Sequence, residues 1–273
     1  MSHGPVVDVW MQHPTATFVK QPWLASLLRW MGVEEIPALP VEFTLGAMEA
    51  AEVSVGLCAA WCGPRGWLIT HDDVQGFVDA SGGRLKGIAS ADLFNPMESV
   101  RELRRAVKER GFIGLRLVPW LWDLPPDDRR YYPLYAECCE LGVPFCTQIG
   151  HTGPLCPSEP GRPIPYLDRV CLEFPELVVI GGHVGYPWIE EVLSMARKYP
   201  NFYIDTSAYK VKRLPEPLLE YMRGRGRNKV MFGTNYPMIT PQAALEGIET
   251  LGLDEEAARL FLHGNAARVF GLT

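Results

Sequence analysis

Short apolar runs alternate with amphipathic segments along most of the chain. The runs occupy residues 5–10, 53–61, 85–91, 113–118, 144–149, 177–182, 201–205 and 229–233. Between them lie helical candidates at 72–80, 96–110, 131–141, 164–174, 188–198, 215–224 and 241–251; in 96–110, Val100, Leu103 and Val107 recur at helical spacing. Phe174-Pro175-Glu176 and Tyr199-Pro200-Asn201 each put a proline after a helix that it cannot continue. Asp254 stands as the N-cap of a last helix running to 262. This repeated strand–helix alternation predicts an α/β fold, a single (β/α)8 TIM barrel formed by residues 1–273 as one domain.

The connections are unequal. Those from helix to strand are tight, whereas those leaving the strands, at 11–21, 61–70, 119–130 and 152–165, are long and rich in Pro, Gly and aromatics. In a barrel these loops emerge together at the C-terminal face, where binding and catalysis are built. Residues 30–43 form an excursion in the first unit, placed to act as a lid.

Composition narrows the function. The 273 residues are 47% hydrophobic and 21% charged, with net charge -6 and no face-length basic run. A small-molecule substrate is therefore expected rather than nucleic acid. No apolar stretch approaches the roughly 18 residues of a membrane span. Residues 1–5 lack a signal-peptide layout, so a cytoplasmic location is expected; a homo-oligomer is compatible with the sequence. The seven cysteines are odd in number and have no paired metal spacing. They read as buried reduced thiols, with Cys62 and Cys156 at strand-to-helix mouths where a ligand could touch them.

Candidate chemistry gathers at the strand ends. Alternation directs Asp8, Trp10 and Gln12 to one side of the first strand, the barrel interior, with His13 at the mouth. Gly150-His151-Thr152-Gly153 follows the fifth run and Gly182-His183-Val184-Gly185 the sixth; the seventh ends Ile204-Asp205-Thr206-Ser207. His183 and His151 are candidates for exchanging protons with substrate, although each also reads as a satisfied structural histidine. His13 reads equally as a loop residue. Asp8 and Asp205 are interior carboxylates that either hold neighbouring groups or, with pKa raised by desolvation, act as acid or base. Arg116, inside an apolar strand, needs a partner: Asp92 or a substrate carboxylate. Trp10, Trp61, Trp120, Trp122, Tyr186 and Tyr209 suggest an aromatic-lined pocket, or packing alone. His3, His71 and His263 read as peripheral.

Several ordered motifs together resemble the amidohydrolase superfamily, in the amidohydrolase-2 branch that includes aminocarboxymuconate-semialdehyde and γ-resorcylate decarboxylases. They are Gly111-Phe112-Ile113-Gly114-Leu115-Arg116-Leu117, Gly182-His183-Val184-Gly185 with Pro187-Trp188, Gly233-Thr234-Asn235-Tyr236-Pro237, and Gly264-Asn265-Ala266-Ala267-Arg268-Val269-Phe270-Gly271-Leu272. The resemblance runs over residues 6–272 and implies hydrolysis or decarboxylation of a small cyclic or aromatic carboxylated compound at a divalent metal. The metal positions depart from it. Where the family carries Asp-x-His-x-His, this chain has Asp8-Val9-Trp10-Met11-Gln12, and where it carries Gly-Thr-Asp-x-Pro, the acid is Asn235. An amide cannot take a proton near neutral pH.

His183 matches the family's sixth-strand histidine, and His151 lies near its fifth-strand ligand position. No inherited metal and no cofactor are expected; a zinc site rebuilt from His13, His151 and His183 is the alternative left open. Metal-independent acid/base chemistry follows as the expectation. His183, His151 and Asp205 would move protons, while Asn235 and Gln12 hydrogen-bond developing negative charge. Arg116 would position a carboxylate, and Trp10, His13, Trp120 and Tyr186 would touch the substrate. A metal-free lyase, cyclase or isomerase fits the same residues. So, in a different class, does a catalytically silent barrel that binds a ligand or a partner subunit.

Overall fold

Ten strands organise residues 5–272, the portion that this computed structural model describes; His3 lies outside it. They are β1 (Val6–Met11), β2 (Val53–Ala59), β3 (Trp61–Gly63), β4 (Gly66–Ile69), β5 (Leu85–Ile88), β6 (Leu115–Leu117), β7 (Phe145–Gln148), β8 (Val179–Gly182), β9 (Phe202–Asp205) and β10 (Val230–Met231). Parallel pairing gives one sheet in the order β1-β2-β5 and another in the order β10-β9-β8-β7-β6. Isolated parallel bridges, Ala89 with Leu115 and Met11 with Tyr236, join the sheets at their two seams. The ring is the (β/α)8 barrel expected from the eight apolar runs. Every residue of β1, β7, β8 and β9 is buried, as strands enclosed by a helical layer require.

The seam between β1 and β10 explains the interior acid at position 8. Asp8 Oδ1 accepts from the backbone N–H groups of Trp10 (3.1 Å) and Thr234 (2.9 Å), and Oδ2 accepts from Thr234 Oγ1 (2.5 Å). Full burial nevertheless pushes its pKa up to about 7, against the pull of those bonds. Asp8 thus clamps the last strand to the first, directly beside the site.

Helices at Pro96–Arg110, His71–Ala80, Tyr132–Leu141, Tyr166–Glu173, Ile189–Lys198 and Glu216–Arg223 follow the predicted segments. Asp254 caps Glu255–Arg259 by accepting from Ala257 N at 2.7 Å. The differences lie in the strand-to-helix connections. Residues 61–70 hold a hairpin, β3–β4, rather than an open loop, and the 30–43 excursion runs from the end of one helix, Ala25–Met31, to the start of another, Val41–Ala50. Its middle is tied down, because the Leu39 carbonyl bonds His13 Nε2 at 2.6 Å. The predicted 241–251 helix is broken into Pro241–Leu245 and a 3-10 turn, Ile248–Thr250. His71 is buried rather than peripheral, with Nε2 accepting from Ser90 N at 3.1 Å. No helix among the described residues is long and apolar enough to cross a membrane.

Candidate active site

Unusual backbone follows β8, β9 (Ala208, φ 66°) and β10. His183, Val184 and Gly185 after β8 have φ of 72°, 63° and 86°, and Asn235 after β10 has φ of 65°. A β-branched residue such as Val184 is rarely held in the left-handed region, and strain of this kind gathers where a side chain must be aimed. The turn is fixed by Val184 N donating to the Asp205 carbonyl at 3.2 Å. It presents the His183 ring to the barrel mouth. Nδ1 pairs with Ser207 Oγ at 2.7 Å, while Nε2 has no partner among the described residues.

Ser207 connects that imidazole to the β9 carboxylate. Its backbone N–H donates to Asp205 Oδ1 at 2.6 Å, and its side chain also stabilises the carboxylate. Asp205 Oδ2 is buried with no hydrogen-bond partner. Burial therefore outweighs both Ser207 and the neighbouring Arg116, and the Asp205 pKa rises to about 6. For His183 the effects act the other way. Desolvation first, then the positive charge of Arg116 and then His151, lower its pKa to about 3. Only part of the ring reaches solvent, so the imidazole is neutral at any physiological pH. An acid poised near neutrality is thus linked through one serine to a neutral histidine. Ser207 was not singled out from the sequence; the spacing Asp205-x-Ser207, which returns both side chains to one side of the chain, was the available signal.

Trp10 and Arg116 fill the centre. The Arg116 guanidinium lies 4.0 Å over the Trp10 ring, and that ring is 4.7 Å from the His183 ring. Arg116, 2% exposed, donates to the main-chain carbonyls of Val9 (2.9 Å) and Met11 (3.2 Å). Its expected partner Asp92 instead accepts from Phe94 N and Asn95 Nδ2 within its own turn. Glycine at 182 makes the arrangement possible, since a Cβ there would lie 2.6 Å from the Trp10 ring. A desolvated cation–π contact of this sort contributes about 2 kcal/mol.

At the β1–β10 seam, Gln12 Nε2 donates to the Tyr236 carbonyl (2.5 Å) and to Asn235 Oδ1 (3.2 Å). Gln12 therefore orients Asn235, rather than offering its own donor to a substrate, and leaves the Asn235 NH2 free of protein partners among the described residues.

The remaining sequence candidates scatter. His151 stands at the rim, its ring 6.0 Å from Trp30 and 5.7 Å from Tyr186, which is 54% exposed. Trp120 packs edge-on against Trp23 (5.0 Å) in a separate aromatic layer with Trp61. His13 is not at the mouth. Its ring nitrogens bond Thr44 Oγ1 (2.8 Å) and the Leu39 carbonyl (2.6 Å), and its ring packs on Phe77. Both nitrogens are engaged by the protein, so a role in touching substrate has no donor or acceptor left to serve it. The seven cysteines are free, and burial pushes the thiols of Cys58, Cys62, Cys146 and Cys171 up to about 12, which leaves them un-ionised.

The donor set does not fit a divalent cation. Indole cannot coordinate, the two amides are weak neutral ligands already bonded to each other, and a fixed guanidinium repels a second cation. The three histidines of the rebuilt zinc site are not grouped, and both His13 nitrogens are already bonded to Thr44 and Leu39. Among the described residues no three His, Cys, Asp or Glu side chains group as a metal site requires.

The comparisons with known proteins agree with the fold and sharpen the contrast. A family model described as amidohydrolase, of the amidohydrolase-2 type, matches residues 39–272. A γ-resorcylate decarboxylase from Polaromonas sp. is 24% identical over 243 residues, covering 69% of this chain and 71% of that protein. One from Rhodococcus jostii is 26% identical over 242 residues, with the same two coverages of 69% and 71%. Among solved structures, an uncharacterized TIM-barrel protein from Bordetella bronchiseptica superposes with TM-score 0.85 at 25% identity, covering 98% of this chain and 99% of that one. A 5-carboxyvanillate decarboxylase from Novosphingobium aromaticivorans, solved with bound manganese, superposes with TM-score 0.73 at 15% identity, covering 99% of this chain and 98% of that one. The barrel is therefore shared, and the chain belongs to the amidohydrolase family.

Proposed function

We propose that this chain is an amidohydrolase-2-type decarboxylase that protonates and cleaves a small hydroxylated aromatic carboxylate without a divalent metal. The observation that carries the reading is the His183 Nδ1–Ser207 Oγ pair at 2.7 Å, with Nε2 open, set beside the buried Asp205, which accepts from the Ser207 backbone N–H and has a pKa near 6. Decarboxylating a ring requires a proton on the carbon that bears the carboxylate, not an activated water. The relatives named above as decarboxylases act on such acids.

The steps use only side chains present. Asp205 enters protonated and passes its proton towards Ser207 Oγ, whose own proton moves to His183 Nδ1. His183 Nε2–H is delivered to the ring carbon. The imidazole never needs to become a cation, which suits a ring whose charged form Arg116 opposes. The carbon–carbon bond then breaks, its electrons return to the ring, and CO2 leaves. The Asn235 NH2 offers a donor to the substrate's negative charge. Arg116 acts through its field rather than by contact, since its terminal nitrogens are held by β1 carbonyls. His151, Trp30 and Tyr186 form the rim past which substrate enters.

Incubation with 2,6-dihydroxybenzoate in D2O tests the proposal. The expected result is CO2 release with one deuterium on the carbon that carried the carboxylate. If no CO2 comes from this acid or from 5-carboxyvanillate while both still bind, the reading fails in favour of a silent ligand-binding barrel.

A further inference from the structure

A cavity opens among the loops at the barrel's C-terminal face, and His183 is not part of its lining. A space of about 580 Å³ is walled by Trp23, Trp120, Leu121 and Leu155, with Cys156 and Arg65 at its margin. Its size falls in the range of about 300–1,000 Å³ usual for small-molecule sites. Loops following β1, β2, β6 and β7 contribute to it, and none of its lining residues is His183, Asp205, Ser207 or Asn235.

One wall of the cavity is specific. Ser26 Oγ donates to the Gly153 carbonyl at 2.7 Å, and a Cβ on Gly153 would lie 2.2 Å from Leu27, so the helix Ala25–Met31 sits directly on the loop after β7. Ala25 and Ser26 face the cavity, while Trp30, farther along the same helix, packs on His151.

The chemistry of the cavity is one-sided. Arg65 is the single formally charged residue in its lining, and it makes no ion pair or hydrogen bond among the described residues. It sits at the tip of the β3–β4 hairpin, closed by the Gly63–Gly66 pair and tied back by Thr15 Oγ1 donating to the Leu68 carbonyl at 2.8 Å. Asp123 acts electrostatically on the Cys156 thiol, yet its carboxylate is not part of the lining. Trp23 and Trp120, with ring centroids 5.0 Å apart at 68°, offer flat apolar surface.

We infer that this cavity is a second ligand site, separate from the His183 mouth, that takes an aromatic monocarboxylate with its ring against Trp120 and its carboxylate on Arg65. Only the choice of aromatic acids rests on the proposed function; the site stands on its own geometry.

Calorimetric titration of the whole chain with 2-naphthoate and with 2-naphthalenemethanol, its neutral analogue, tests it. The acid is expected to bind about tenfold more tightly than the alcohol, as a charge-assisted contact would give. Arg65→Gln should erase that difference, and His183→Gln should leave the acid's affinity unchanged. Arg65 is exposed at a hairpin tip, so its variant is not expected to unfold. No acid binding, equal affinity for acid and alcohol, an unaltered Arg65→Gln, or loss of binding in His183→Gln would each overturn the assignment. Because 2-naphthoate is read by binding and not turnover, failure of decarboxylation with hydroxybenzoates leaves this result standing, and the converse also holds.

Discussion

His13 and His183 stand at the ends of two strands of the same barrel, and burial depresses the pKa of both. Their partners make the difference. His13 has both ring nitrogens bonded, to Thr44 and Leu39, and so joins the first strand to the excursion that follows it. His183 has one nitrogen bonded to Ser207, and a strained left-handed turn holds the other toward the mouth. A histidine at a strand end is therefore not by itself a site. What distinguishes a site is an unsatisfied nitrogen, a neighbour able to supply a proton, and backbone strain that keeps the ring aimed.

Substitution should separate the two histidines most sharply. His183→Ala should lower the rate of CO2 release by about 10²–10⁴-fold, the span associated with a positioned general acid, with the fold retained by circular dichroism. Asp205→Asn should cost on the order of 10²-fold and flatten the pH profile. In the parent enzyme the acid form is needed, so kcat should hold below about 6 and fall as Asp205 ionises above that. The same group sets a stability trend. Its pKa is raised on folding, so its contribution is fully present below 3.8 and is lost as pH rises through about 6. The melting temperature of Asp205→Asn relative to the parent should therefore improve between pH 4 and pH 7. A difference, variant minus parent, that stays constant or falls over that range would mean that Asp205 is not desolvated as its surroundings require.

Ser207→Ala interrupts the proton path without removing either end. A loss of about tenfold in kcat is expected, at the lower edge of acid–base effects, with KM little changed. An unaltered kcat would take Ser207 out of the path. His13→Gln should have the smallest effect on turnover, with kcat within a factor of two or so of the parent. It should lower stability by about 1–3 kcal/mol through a lost buried hydrogen bond, measured by urea unfolding. A kcat collapse in a stable His13→Gln would erase the contrast between the two rings.

The strands were legible because each is an apolar run bounded by turn residues, and the order of those runs was enough for the barrel. The first excursion was not. In Val41–Ala50 the apolar residues Val41, Phe43, Leu45, Ala47 and Met48 are spread around the helix rather than along one stripe, so the period is weak. Gly63-Pro64-Arg65-Gly66 reads as loop, although it is the turn of a hairpin whose short strands are only three and four residues long. In the site, Trp10, Gln12 and Asn235 were visible as departures from the family's metal positions. The partners of Arg116 were not, because they are main-chain carbonyls of another strand and carry no residue signature. His13 looked like a mouth residue because position along the chain cannot reveal that Thr44, 31 residues away, closes on its ring. Ser207 stayed hidden for a related reason: a serine becomes part of a proton path only once the turn after β8 swings His183 across to it.

The central claim is that turnover runs on His183, Ser207 and Asp205 beside the Arg116 guanidinium stacked on Trp10, with no divalent metal. Turnover of 2,6-dihydroxybenzoate by protein dialysed against a chelator, assayed with and without added manganese, tests this most directly. The account predicts the same rate before chelation, after it, and with manganese restored. Activity that disappears on chelation and returns with manganese would contradict it.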